Sequence, residues 1–453
     1  MLPLEVAMYA NLPLVHTPLR LIAWLFIFFS GTALAVPEIE HWTTSKGGRV
    51  YYVKTEGLPL VDVRMVFDAG SARDGSLFGL ASLTSGMLDS GALDWDADAI
   101  AQRLERVGAV LGTGASRDSA YLSLRSLSHP DKLKEALETL KNVVTHPTFA
   151  VKDFERERNR VLMAIKQQGE DPGEIAEISF MKTLYGDHPY AHPSEGIRET
   201  VEKLTPNDLK VFHLEKYTVR NSITVVVGNI DRLAAEALAN DLLSGLPEGE
   251  VLPVLADPID RHEALTVKTP YPSEQTHIYS GVLGFRVNDP DTFPLYIGNH
   301  ILGGSGLVSK IMEEVREKRG LAYSAYSYFL PMRVPGPFEI GLQTKNASAE
   351  EALAIAVRTV RDFIEKGPSD RELEAAKKNI IGGFVLRLDS NQKLISEVAS
   401  IAFFQRPLDY LNTFTQKVQA VTREDIKRAF KAQVNPDQLK TILVGAGGEK
   451  PAH

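Results

Sequence analysis

The sequence predicts an α+β chain made of two copies of one unit, each a mostly antiparallel sheet with helices packed on it. Three observations carry this. Strand-like and helix-like periods alternate along the chain. The words LTPNDL…VVVG (204–228) and VTREDI…ILVG (421–445) repeat at one offset, 217 residues at both ends (421 − 204 and 445 − 228). A fainter echo pairs DFERERN (153–159) with ELEAAKKN (372–379). Between the copies, Ser244–Arg261 holds three prolines and two glycines and no sustained period, which reads as a linker.

In order, RVYYVK (49–54) and VDVRMVFD (61–68) partly alternate and read as strands. Helical spacing follows over 77–90, 97–107 and 131–144, interrupted by the alternating strand AYLSLRSL (120–127). Longer helical patterns cover 151–169 and 174–184. SITVVV (222–227) ends at Gly228 as a buried-type strand, and 231–243 closes the first unit as a helix. The predicted organisation is a leader over 1–35, a first domain over 36–243, a linker over 244–262 and a second domain over 263–453. Two halves of about 200 residues suit ordinary domain sizes.

Composition narrows the function. The 453-residue chain is 44% hydrophobic and 24% charged, with formal net charge −8. That balance argues against a nucleic-acid partner, which needs a basic face. There is no cysteine, so disulfides, thiolate zinc ligands and thiol nucleophiles are excluded. Arg20, the apolar run LIAWLFIFF (21–29) and Ala33-Leu34-Ala35 have the order of an export signal cleaved after Ala35, implying a periplasmic location. The run is well short of the ~20 residues that span a bilayer, although an uncleaved anchor is the rival reading. The 19 residues before Arg20 make an unusually long lead, so Met8 is an alternative start.

Four passages carry a family resemblance: GLASLTSGMLDSGA (79–92), FERERNRVLMAI (154–165), YGDHPYAHPSEGIRETVEKLTPNDL (185–209) and LGGSGLVSKIMEEVREKRGLAYS (302–324). Together they resemble the pitrilysin/insulinase zinc peptidases, in the branch that includes mitochondrial processing peptidases. The likeness spans nearly all of 38–446. It implies two α/β-sandwich domains that close as a clam-shell with a partner subunit. Active relatives carry H-x-x-E-H on the first helix: two His on one face hold zinc and the Glu between them is the general base. In that register this chain has Ser82, Ser85 and Gly86. The third ligand is a Glu seven residues after the second Glu of an E-x-E pair. The pair here is Glu155 and Glu157, and the ligand position is Ala164. These degenerate positions imply no zinc or other cofactor in this chain. Glu157 corresponds to an outer-shell acceptor; its plainer reading is a surface charge within the ERER run.

The second-half motif is whole. By the resemblance, Arg316 and Tyr323 bind substrate and have a catalytic role: the guanidinium fork takes peptide carbonyls, and the phenol donates to the developing oxyanion. Gly303, Gly304 and Gly306 resemble the glycine-rich segment with which non-catalytic processing subunits engage substrate; a plain connection is the alternative. His188 and His192 are four apart, but Pro189 and Pro193 argue against one helical face for both. No G-x-S-x-G elbow occurs.

The resulting expectation is a non-zinc subunit of an exported heterodimeric metallopeptidase. Its partner would carry zinc on H-x-x-E-H, and peptides would be the substrates. The main alternative is an inactive pseudo-peptidase with a structural or peptide-binding role; a homodimer with an unrecognised metal site is a third.

Overall fold

A computed structural model of the chain describes residues 38–446. The expected leader and the last seven residues lie outside the described residues.

The first sheet contains β1 (Glu40–Thr43), β2 (Arg49–Lys54), β3 (Leu60–Phe67), β4 (Val110–Ala115), β5 (Ala120–Leu127) and β6 (Ser222–Gly228). The second contains β7 (Leu265–Tyr271), β8 (Gln275–Leu283), β9 (Ala322–Phe329), β10 (Pro337–Lys345) and β11 (Lys440–Ala446). Their orders are β1-β2-β6-β3-β5-β4 and β7-β11-β8-β10-β9. Without β1, the two orders are the same. In each sheet one pair is parallel, β2 with β6 and β7 with β11, and the other pairs are antiparallel. A short ladder, Gly91–Ala92 with Trp95–Asp96, stands apart.

The duplication extends to the helix caps. Helices Pro206–Lys216 and Arg423–Gln433 begin 217 residues apart (423 − 206). Both open on a capping box, Thr205 with Asp208 and Thr422 with Asp425. The carboxylates accept from the cap N–H at 2.8 and 2.9 Å, satisfying a donor the helix itself cannot. β6 is buried along its whole length, which explains its unbroken β-branched run. β5 alternates buried and half-buried residues, as its sequence does.

The halves are not separate globules. Helix Pro172–Tyr185, from the first half, packs on β8 and β11 of the second sheet. Its counterpart, Asn391–Phe403, packs on β3 and β6 of the first. Phe180, Met181, Leu184 and Tyr185 join Tyr271, Ile442 and Val444 in one core. The exchange is stitched by polar bonds. Tyr185 Oη donates to the Pro335 carbonyl at 3.0 Å and Tyr271 Oη to that of Glu170 at 2.6 Å. Arg333 pairs with Asp68, which also takes Arg73, and the Arg333 amide donates to Asp118 at 3.2 Å. Asp118 in turn accepts from Tyr190.

One expected element is shorter. The pattern over 77–90 resolves into a helix Leu80–Gly86 and a 3-10 turn Leu88–Ser90. Gly79 at φ +98° starts it late, because that conformation is open to glycine and ends any helix arriving from residue 77.

Candidate functional site

Helix Leu80–Gly86 is fixed at its start by Asp74. That carboxylate accepts from the Gly79 and Ala81 amides, both at 2.8 Å. Burial pushes the Asp74 carboxyl up to about 7 against the pull of those amides. Leu80, Ala81, Leu83 and Thr84 form the buried face. On the other stripe Ser82 is half-buried, while Ser85 is buried. Ser85 sits beside Tyr217, whose phenol burial raises above its ordinary range, without reaching hydrogen-bond geometry.

The stripe is less vacant than its residue types suggest. A Cβ on Gly86 would stand 3.2 Å from Glu157 Oε1. Glu157 projects from helix Val151–Gln168 and is clamped by Arg160, whose Nε lies 2.9 Å from Oε2 and 3.1 Å from Oε1. Glu157 thus has an i, i+3 partner in Arg160 and also faces the first helix, with its side chain largely buried between them. Asp89 is close enough to feel it; burial first, then Glu157, raises the Asp89 carboxyl. Ala164, half-buried, lies two turns further along the same helix. Serine, glycine and alanine offer neither imidazole nor carboxylate at the four positions, so the residues present do not fit a zinc ion of the family's type. No group of three His, Cys, Asp or Glu is placed to hold a metal among the described residues.

The Arg/Tyr half is built differently. Ser309 caps a single turn, Lys310–Met312, which widens into a π-turn, Glu313–Glu317. Gly320 at φ +61° ends it, and its amide donates to the Arg316 carbonyl at 2.8 Å. Tyr323 follows as the bulged residue of β9, where pairing with β10 shifts between Ala322 and Ser324. The bulge turns the side chain outward, 81% exposed. The Arg316 guanidinium lies over the Tyr323 ring, 4.9 Å from its centroid. The structure thus brings these two residues together on the edge strand of the second sheet, with the phenol not hydrogen-bonded among the described residues.

The glycines divide. Residues 300–304 continue helix Thr292–Asn299 as a π-turn. A Cβ on Gly303 would stand 2.3 Å from the Ser327 amide of β9, so this glycine is required by packing. Gly304 faces Asn299 at 3.1 Å, and Gly306, at φ +64°, faces open space. His188 and His192 do not converge: His188 Nε2 contacts the Ala256 carbonyl at 3.0 Å, while His192 stacks on Phe78 at 4.1 Å. A buried carboxyl that sequence reasoning missed is Glu339 of β10, pushed up to about 7 by burial, with Glu177 adding and Arg117 opposing. Only the fold brings these three together, and no local signal marks them.

A duplicated unit of helices on a mixed sheet, with one helix exchanged each way between the halves, is the fold that the resemblance to insulinase-type peptidases implies. Sequence profiles agree: the profile described as Insulinase (Peptidase family M16) matches residues 49–196, and that of the Peptidase M16 inactive domain matches 203–380. The chain belongs to peptidase family M16. It is similar to a Pseudomonas fluorescens crystal structure described as a peptidase M16 inactive domain, at 37% identity and TM-score 0.88, over 90% of this chain and 98% of that one. Among curated proteins it is 26% identical to the Helicobacter pylori "Non-peptidase homolog YmxG" over 94% of this chain and 97% of that one. It is 24% identical to the Bacillus subtilis "Uncharacterized zinc protease YmxG" over 91% and 100%. Among the described residues, no helix is long and apolar enough to cross a membrane.

Proposed function

We propose that the chain is the non-zinc subunit of a heterodimeric metallopeptidase, exported to the periplasm and cleaved after Ala35. The observation that carries this reading is the contrast between its two half-sites. Ser82, Ser85, Gly86 and Ala164 cannot hold zinc, while Arg316 and an exposed Tyr323 stand together on the edge strand of the second sheet. A partner with H-x-x-E-H supplies zinc, and its Glu takes the proton of the attacking water. Arg316 holds substrate carbonyls, and Tyr323 donates to the oxyanion in trans. Extended peptide adds to a sheet edge through main-chain bonds. Gly304 and Gly306 border the substrate path, and Gly303 shapes it from beneath.

The test is reconstitution of the purified mature chain with a zinc-bearing M16 partner encoded in the same genome. Peptide hydrolysis should require both chains, zinc should track the partner, and Arg316→Ala should abolish the joint activity. Stoichiometric zinc on this chain alone would overturn the reading. A second reading, an inactive pseudo-peptidase that binds peptide or serves a structural role, draws on the name of the Helicobacter pylori relative. It predicts a complex whose hydrolysis is indifferent to Arg316→Ala.

A further inference from the structure

Among the described residues, comparison of the two halves shows a surface that a helix covers in the first half and no helix covers in the second. In the first half, helix Arg232–Ser244 lies against helix Pro130–Thr145 and β2. It buries Ala235, Leu238, Ala239, Leu242 and Leu243. Beneath it Ala136, Leu140 and Val144 are fully buried. Its polar flank is registered by an ion pair, Lys141 Nζ to Asp241 Oδ1 at 2.6 Å.

Shifting by the 217-residue repeat maps helix Pro130–Thr145 onto Ala349–Lys366 and β2 onto β7. Thr139 and Val143 become Ala356 and Val360, and all four are buried. The other stripe changes state. Ala136, Leu137 and Leu140 become Leu353, Ala354 and Val357, which are half-buried or exposed. Lys141 becomes Arg358, which is exposed and makes no hydrogen bond or ion pair among the described residues. Val144 becomes Arg361, which pairs with Asp437, and these residues, with Thr266, Leu443 and the Lys268–Glu350 ion pair, line a groove of about 490 Å³. Among the described residues no helix covers it, and β7 is an edge strand with no counterpart of β1 beside it.

We propose that this groove docks an amphipathic helix from another chain, one with an alanine- and leucine-rich face and a carboxylate aligned to Arg358. The first half supplies the template: the same sandwich closes with such a helix, and a basic residue at the same repeat position pairs with its aspartate. The basic character is kept (Lys141, Arg358), and among the described residues no carboxylate pairs with Arg358, which is the charge complementarity a docking helix would supply. Helix-in-groove docking is an established way to cover such a face. The proposal stands whether or not the chain belongs to a peptidase complex.

The probe is a fluorescein-labelled synthetic peptide of Asp231–Gly245, this chain's own covering helix, titrated into the mature full-length protein by anisotropy. Saturable binding is expected, with a gain in helical circular dichroism as the peptide orders. Arg358→Glu should weaken it about fivefold or more. A peptide carrying Asp241→Lys should regain affinity for Arg358→Glu and lose it for the unaltered protein. Ala354→Arg, at an exposed position, should block binding without changing the protein's circular dichroism. Absence of saturable binding, or binding indifferent to both protein changes, would overturn the proposal. So would tighter binding after deletion of residues 447–453, which would assign the groove to the chain's own tail. Concentration-dependent dimerisation abolished by Ala354→Arg would assign it to a second copy.

Discussion

Truncating Phe180 to alanine tests whether the exchanged helices make the chain one cooperative unit. Phe180 is fully buried on helix Pro172–Tyr185, yet the surface it fills belongs to the other half. Its ring stacks toward Tyr279 at 5.9 Å between centroids, and its Cζ comes within 2.9 Å of where a Gly281 Cβ would be. Truncating so deeply buried a ring leaves a cavity, and the expected loss is that of a core Phe→Ala, about 3–5 kcal/mol. The assay is urea unfolding followed by two probes. Trp42 and Trp95, the only tryptophans in the described residues, both lie in the first half, so indole fluorescence reports that half alone. Far-ultraviolet circular dichroism reports the whole chain. With the halves coupled, both probes shift together to lower urea in Phe180→Ala. A fluorescence transition that stays in place while circular dichroism moves would refute the coupling, because the second sheet would then unfold without the first; a loss below about 1 kcal/mol would refute the packing role given to Phe180.

Three further outcomes are expected. In a reconstituted complex, Tyr323→Phe should lower kcat by about a hundredfold, the effect of removing one oxyanion donor, with KM little changed; equal loss in both would indicate ground-state binding. Gly303→Ala should cost about 1–3 kcal/mol by forcing β9 aside, whereas Gly306→Ala should cost only about 1 kcal/mol from its positive φ; the reverse order in thermal denaturation would remove the packing role. Glu339 has a folded pKa raised to about 7, above its unfolded value, so its protonated form favours the folded state. Its contribution is complete below about pH 4 and is lost as pH rises toward 7 and beyond, on the order of 3 kcal/mol in all. Glu339→Gln should flatten that fall in urea midpoints between pH 5 and 8; an unchanged slope would show the carboxyl is already ionised at pH 5.

Much of this was written locally. The 217-residue repeat is legible because capping boxes and buried central strands impose sequence signatures wherever they recur. The family is legible because the passages that carry the likeness, such as R-E-K-R-G-L-A-Y, are contiguous. What stays hidden depends on contacts between distant residues. The pattern over 174–184 reports a helix with apolar residues, but not that its sheet lies a hundred residues downstream. Gly86 and Glu157 are 71 residues apart (157 − 86), and only folding shows that the carboxylate occupies the space beside the glycine. The outward turn of Tyr323 rests on a bulge in β9, which an alternating strand pattern conceals.

The helix exchange also sets a timetable for synthesis. The first sheet has all its strands once Gly228 is made, but the helix that packs on β3 and β6 begins only at Asn391. Until then an apolar sheet surface has nothing to meet, and the emerging chain is held open. Such a nascent chain is a ready client for chaperones.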